Sequence, residues 1–139
     1  LEILYTPTAM ILAQAAIASP IIAGISLSAL QHLPPGLRLQ ILALGASRPQ
    51  MVWLLLKEAR LPLLAAVMAG FGGVISEVGA SIMVGGNIKG QTRVLTTATV
   101  METSKGNFEV AFALSILLLV LAFAVNAVLT HVQQRNHSR

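Results

Sequence analysis

Cysteine is absent from the 139 residues, which removes disulfides, thiol nucleophiles and thiolate metal sites together. Charge is scarce. Asp, Glu, Lys and Arg make up 10% of the chain, against about 25% in ordinary soluble domains. So few charges cannot cover the polar surface that a soluble fold of this size needs. Internal repeats and low-complexity tracts are also missing, as is a secretory leader with a basic n-region and a cleavage site. The chain starts at Leu1 and not at Met, so an N-terminal part is expected to precede it.

What is there is apolar. Hydrophobic residues reach 55% and the mean hydropathy is +0.80. A bilayer core of about 30 Å takes roughly 20 apolar residues as a helix. Thr8–Leu30 and Val110–Thr130 carry no charge, and Leu61–Val84 carries only Glu77. Backbone N–H and C=O groups in lipid must pair within their own segment, so these stretches are predicted helices. The expected fold class is an all-α integral membrane protein. It forms a single transmembrane domain over residues 1–139, with spans at 8–30, 61–84 and 108–130. Ala9, Ala13, Ala16, Ser19 and Ala23 give the first span a small side suited to close packing. Pro20, in its middle, is expected to kink it.

The net charge of +4 and pI near 10.4 would suggest nucleic acid in a soluble protein. Here the basic residues sit between apolar runs, so they read as membrane orientation, and no nucleic-acid partner is expected. Loop 31–60 carries Arg38, Arg48, Lys57 and Arg60 against Glu58, and the tail adds Arg135 and Arg139. Loop 85–107 and its edge carry Lys89, Arg93 and Lys105 against Glu102 and Glu109. The richer side is assigned to the cytoplasm, with the C-terminus.

Loop 31–60 reads as two short helices around a turn. Leu37–Leu44 places Leu37, Ile41 and Leu44 on one side. Gly45 stands where a left-handed cap belongs. Ser47 and Gln50 have capping-box spacing ahead of a helix through Met51-Val52-Trp53. From geometry alone this is a docking loop or an ordinary amphipathic connector. In the second span Ala66, Gly70, Gly73, Glu77 and Ser81 fall on a small side, opposite Leu64, Val67, Phe71, Val74, Val78 and Ile82. A charge at that depth costs about 2.5–3.5 kcal/mol. Glu77 therefore either helps organise a gate or accepts loop N–H groups and fixes helix packing. An acid would repel an anion, so it is not expected to be a direct anion ligand.

Enzyme chemistry finds no foothold. His32, His131 and His137 are too far apart for an HExxH-type metal helix, and no serine sits in a nucleophile-elbow pattern. Gly85 and Gly90 mimic a phosphate loop, but Gln91 stands where the lysine is required. Lys89, Arg93, Thr92, Thr96, Thr97 and Thr99 could attract a tetrahedral oxyanion, or they could belong to a solvated outer helix.

Leu44-Gly45-Ala46-Ser47 followed by Arg60-Leu61-Pro62 resembles the EAA loop of ABC importer permeases. The sequence departs from that pattern in having Leu39-Gln40-Ile41 in place of Glu-Ala-Ala, and in a longer spacing from Gly45 to Leu61-Pro62. Ile75–Ala80, Val84–Ile88 and Thr96–Thr103 extend the likeness, which is similar to tungstate-type permeases and, more distantly, to molybdate and sulfate permeases. The resemblance implies a type I importer permease fold in a bacterial or archaeal cytoplasmic membrane. It implies a homodimer with an ABC ATPase, a periplasmic binding protein and an oxyanion substrate as partners, surrounded by membrane lipid. No cofactor is expected on this chain, because ATP and Mg would be used by the ATPase. Arg38, Ala43, Gly45, Ala46 and Ser47 would couple to that ATPase. Gly73, Glu77, Asn87, Arg93, Thr96 and Thr97 would form the pathway or gate. A secondary transporter or channel without an ATPase is the alternative from another class.

Overall fold

The computed structural model describes residues 3–135. Arg139 and the side chain of Arg135, which carry part of the expected topology, lie outside the described residues, as does His137. Seven helices occupy the described chain and no strand appears among them. They are α1 Pro7–Gln31, α2 Pro35–Ala43, α3 Arg48–Glu58, α4 Arg60–Ile75, α5 Gly79–Gly85, α6 Leu95–Ser104 and α7 Phe108–Arg135.

The helix ends follow from local chemistry. Thr6 caps α1 by accepting the Ala9 N–H at 3.3 Å, and Pro7 opens the first turn, where its missing N–H costs nothing. α1 then runs as one helix through Pro20 to Gln31. Two helices end in the same glycine motif. After α2, the Gly45 N–H bonds to Leu42 O and the Ala46 N–H to Ile41 O, with Gly45 at φ +81°. After α6, the Gly106 N–H bonds to Thr103 O and the Asn107 N–H to Glu102 O, with Gly106 at φ +80°. Each is a Schellman cap that satisfies carbonyls the helix would otherwise leave bare.

α1 and α7 are long and apolar enough to cross a membrane, and α4 with α5 makes a third candidate if the bent pair is counted as one span. Their outward side chains are large and apolar, with Phe112 69% and Phe123 68% exposed. That surface suits lipid, where lipid tails are as apolar as the side chains.

The structure differs from the sequence reading in two places. Leu61–Val84 is not one helix: α4 stops at Ile75, and α5 leaves at 62° to it. Ser76 turns its hydroxyl back onto Gly72 O and Gly73 O, both at 3.1 Å, and Glu77 accepts the Ala80 N–H at 2.9 Å. These side chains offer the backbone an alternative to the helical ladder just where glycine propensity is poorest. The second difference concerns α1. Ala16, Ser19 and Ala23 of its small side are exposed, and the packing uses large side chains instead. The roles are reversed: α1 supplies the bulk and α4 and α5 supply the hollows. A Cβ at Gly70 would lie 2.5 Å from Ile22 Cγ1, and one at Gly85 would lie 2.7 Å from Met10 Sδ. The expected small side of the second span is borne out in that role, with Ala66, Gly70 and Ser81 all buried. Gln14 Nε2 also donates to Ser81 Oγ at 3.4 Å.

The packing sorts the helices into two groups. α1 lies against α4 and α5, and α6 lies against α7, with a smaller contact between α4 and α7.

Candidate functional site

The expected coupling residues sit on the α2–α3 corner. The Ser47 N–H donates to Gln50 Oε1 at 2.8 Å, and the Ser47 hydroxyl to the same oxygen at 2.9 Å, so the corner is braced from both sides of the turn. Gly45 and Ala46 line an open hollow of about 480 Å³ with Leu44, Gln50, Trp53 and Leu54. Leu44 is 87% exposed and Trp53 61%, an apolar pair flanking the glycine turn. Lys57 lies over the Trp53 ring, 5.1 Å from its centroid, which holds the indole by a cation–π contact. Ala43 and Ser47 are exposed beside them. Arg38 does not join this group. It lines a separate cavity of about 800 Å³ between the end of α1, α2 and α3, with Leu30, Leu33 and Leu55.

Gly45 owes its place in the turn to conformation and not to crowding. Within this chain a Cβ there meets nothing within 4 Å, and the restriction is the backbone at φ +81°. Left-handed backbone costs an L-residue roughly 1–2 kcal/mol.

The six expected pathway residues fall into three places. Gly73 faces α1, where a Cβ would lie 3.2 Å from Ile21 Cδ1. Glu77 and Thr96 line one cavity of about 270 Å³ between the two helix groups, with Gln14, Phe71 and Leu118. Asn87, Arg93 and Thr97 build the connection from α5 to α6. Asn87 takes a left-handed φ of +52°, and Arg93 clamps it through Nε to Asn87 Oδ1 and Nη2 to Asn87 O, both at 3.2 Å. Thr97 accepts the Val94 N–H at 3.1 Å and so caps α6 from its own first turn. Thr92 bonds to Gly85 O and Ile88 N, and Thr99 to Leu95 O. The hydroxyls of Thr92 and Thr97 are thus spent on the loop and the α6 cap, that of Thr99 turns back onto its own helix, and among these threonines Thr96 alone makes no side-chain hydrogen bond among the described residues. Lys89 stands exposed at the loop's outer edge.

Breaking the Arg93 clamp is expected to loosen this loop. Hydrogen bonds to charged groups contribute about 1.5–3 kcal/mol, so Arg93→Gln should speed proteolytic cleavage between Gly86 and Val94 severalfold. An unchanged cleavage rate would show that the clamp does not hold the loop.

Glu102 fastens α6 to α7. Its carboxylate accepts from Asn107 Nδ2 at 2.8 Å and Lys105 Nζ at 2.9 Å. These hydrogen bonds, Asn107 first and Lys105 second, hold its pKa below the usual glutamate value. A lowered folded-state pKa contributes stability above the ordinary carboxylate range and loses it as pH falls through the lowered value. Asn107→Ala should move the Glu102 pKa back toward the usual value. A pH titration of the Glu102 carboxyl carbon by NMR reads that shift, and no movement would remove Asn107 as its cause.

The fold and these sites can be set beside known proteins. Residues 2–138 match the family described as binding-protein-dependent transport system inner membrane component. A tungstate uptake system permease protein of Peptoclostridium acidaminophilum is 41% identical over 134 residues, covering 96% of this chain and 59% of the relative. A probable anion ABC transporter permease protein of Haloferax volcanii is 41% identical, covering 99% of this chain and 62% of the relative. A tungstate uptake system permease protein of Campylobacter jejuni is 35% identical, covering 96% and 55%. The chain therefore spans about three-fifths of the length of the curated relatives it matches. No solved structure matches it significantly. With apolar helices long enough to cross a bilayer and a family match over nearly its whole length, the chain belongs to the inner-membrane permease components of binding-protein-dependent transport systems.

Proposed function

We propose that this chain is the core of a permease subunit that moves an oxyanion, tungstate first, across the cytoplasmic membrane at the expense of ATP. The observation that carries the reading is identity of 35–41% over almost the whole chain to permeases named for tungstate uptake or as a probable anion ABC transporter. In this reading the α2–α3 corner faces the cytoplasm and docks an ABC ATPase, which uses the ATP and Mg. Leu44 and Trp53 join Gly45, Ala46 and Ser47 at that contact. A periplasmic binding protein delivers the anion to the outer side, near the α5–α6 loop, and two permease copies enclose the pathway. ATP closure moves the docked corner, and the corner is continuous with α4 through Ala59, which is 1% exposed. The break between α4 and α5 then lies on the moving element. A ligand or nucleotide switches the pathway only by stabilising one state more than the other.

Uptake of labelled tungstate into proteoliposomes tests this. The full-length permease, with its ATPase and binding protein, should accumulate tungstate only with ATP inside and binding protein outside. Uptake that needs neither would assign the chain to a channel or secondary transporter. Uptake competed more strongly by molybdate or sulfate would move the substrate to that anion.

A further inference from the structure

In the permease reading the α4–α5 break places irregular backbone inside a segment that enters the membrane. Such backbone is tolerated only where protein buries it or where it lines a wet cavity. The cavity of about 270 Å³ at the break answers to the second case. Glu77 enters it from the break, Gln14 from α1 and Thr96 from α6, against Phe71 and Leu118. Glu77 is the only titratable residue among those that line it.

Thr96 is the telling side chain. It is only 8% exposed, and its hydroxyl has no hydrogen-bond partner among the described residues. Yet no side-chain oxygen or nitrogen among the described residues is both fully sealed from solvent and unpaired. The small exposure of Thr96 therefore includes its hydroxyl oxygen, and Thr96 is among the residues that line this cavity. A buried hydroxyl left without a partner costs about 1–3 kcal/mol. A water needs only about 10–15 Å³ of free space in a cavity, with two to four polar partners.

We propose that this cavity is a water-binding site, in which ordered water joins the Thr96 hydroxyl to the Glu77 carboxylate across the seam between α1–α4–α5 and α6–α7. The seam is thereby unlike the α1–α4 contact, where Ile22 fills the hollow at Gly70. Parting a wet seam exchanges bridging water for other water and strands no polar group. The proposal rests on the permease reading through the membrane placement of α4 and α5, and not on the identity of the anion.

The absence of cysteine makes thiol labelling of the full-length permease in liposomes a direct test, with any cysteine outside this chain replaced. Thr96→Cys should react with a charged methanethiosulfonate at least about tenfold faster than Ala66→Cys, which needs local unfolding of the α1–α4 contact to be reached. Glu77→Leu should slow labelling at position 96, and Glu77→Gln should not. Equal rates at positions 96 and 66 would overturn the site, and indifference to Glu77→Leu would overturn the bridge. Radiolytic footprinting of the unsubstituted protein gives a second reading should a variant fail to assemble. Phe71 beside bound water should be oxidised, and Phe123 on the lipid face should be spared. A spared Phe71 overturns the site, whereas oxidation of both would contradict the membrane placement on which it rests.

Discussion

Gly45→Val should abolish oxyanion-stimulated ATP hydrolysis, and Gly45→Asn should retain much of it. The ordering follows from the backbone and not from crowding. At φ +81° with nothing within 4 Å of a Cβ, the position admits a side chain in space but resists it in conformation. Asparagine enters the left-handed region several times more readily than other non-glycine residues, and a β-branched residue there is an outlier. Alanine should fall between them, with a loss of about 1–2 kcal/mol in the turn. The Schellman bonds from Gly45 and Ala46 to Leu42 and Ile41 fix the direction in which α3 leaves α2, so a changed turn misdirects the whole corner. ATPase stimulation measured across Gly, Asn, Ala and Val reads the series. Equal activity of Val and Gly would show that the left-handed turn has no part in coupling, and Asn as poor as Val would show that contact with the ATPase, not φ, sets the requirement.

Gly70→Ala should destabilise the α1–α4 pair despite its better helix propensity. Alanine gains up to about 1 kcal/mol over glycine inside a helix. Against that, the added Cβ would lie 2.5 Å from Ile22 Cγ1 and 2.7 Å from Ile22 Cδ1. Rotating the outer carbon cannot relieve both contacts, and isoleucine has essentially one comfortable χ1 in a helix. Overpacking of this kind costs about 1–3 kcal/mol, so the clash wins. Helices in lipid associate through close van der Waals packing and not through the hydrophobic effect, which leaves little else to compensate. Ile22→Ala removes the offending atoms and should restore part of the loss, a coupling of about 1–2 kcal/mol in a double-mutant cycle. Denaturant unfolding in micelles measures it. Additive single effects would mean that Ile22 simply shifts aside.

Much of this architecture is legible in the residues, and the limits have physical causes. The spans and the α2–Gly45–α3 corner are local events: charge-free runs, a glycine after a helix, and Ser47 with Gln50. The second Schellman turn, at Gly106, carries the same local signal, a glycine just past the end of a helix. The α4–α5 break is different. Ser76 and Glu77 occur within ordinary helices, and only their bonds to Gly72, Gly73 and Ala80 show that they end one here. The small side of α1 does not mark its packing face, because a row of alanines suits close approach in general, whereas here Ile22 and Met10 stand opposite glycines of α4 and α5. The meeting of Glu77 with Thr96 is tertiary. Each has its own chemistry, and nothing in their spacing sets them at one cavity while sending Gly73 to the α1 interface and Arg38 away from Gly45.

ATP hydrolysis by the reconstituted full-length permease, with its ATPase and binding protein, tests the central claim most directly when tungstate, molybdate and sulfate are titrated in turn. Stimulation at the lowest concentration by tungstate is the predicted result. An assembled complex that hydrolyses ATP and responds to none of the three anions would contradict it.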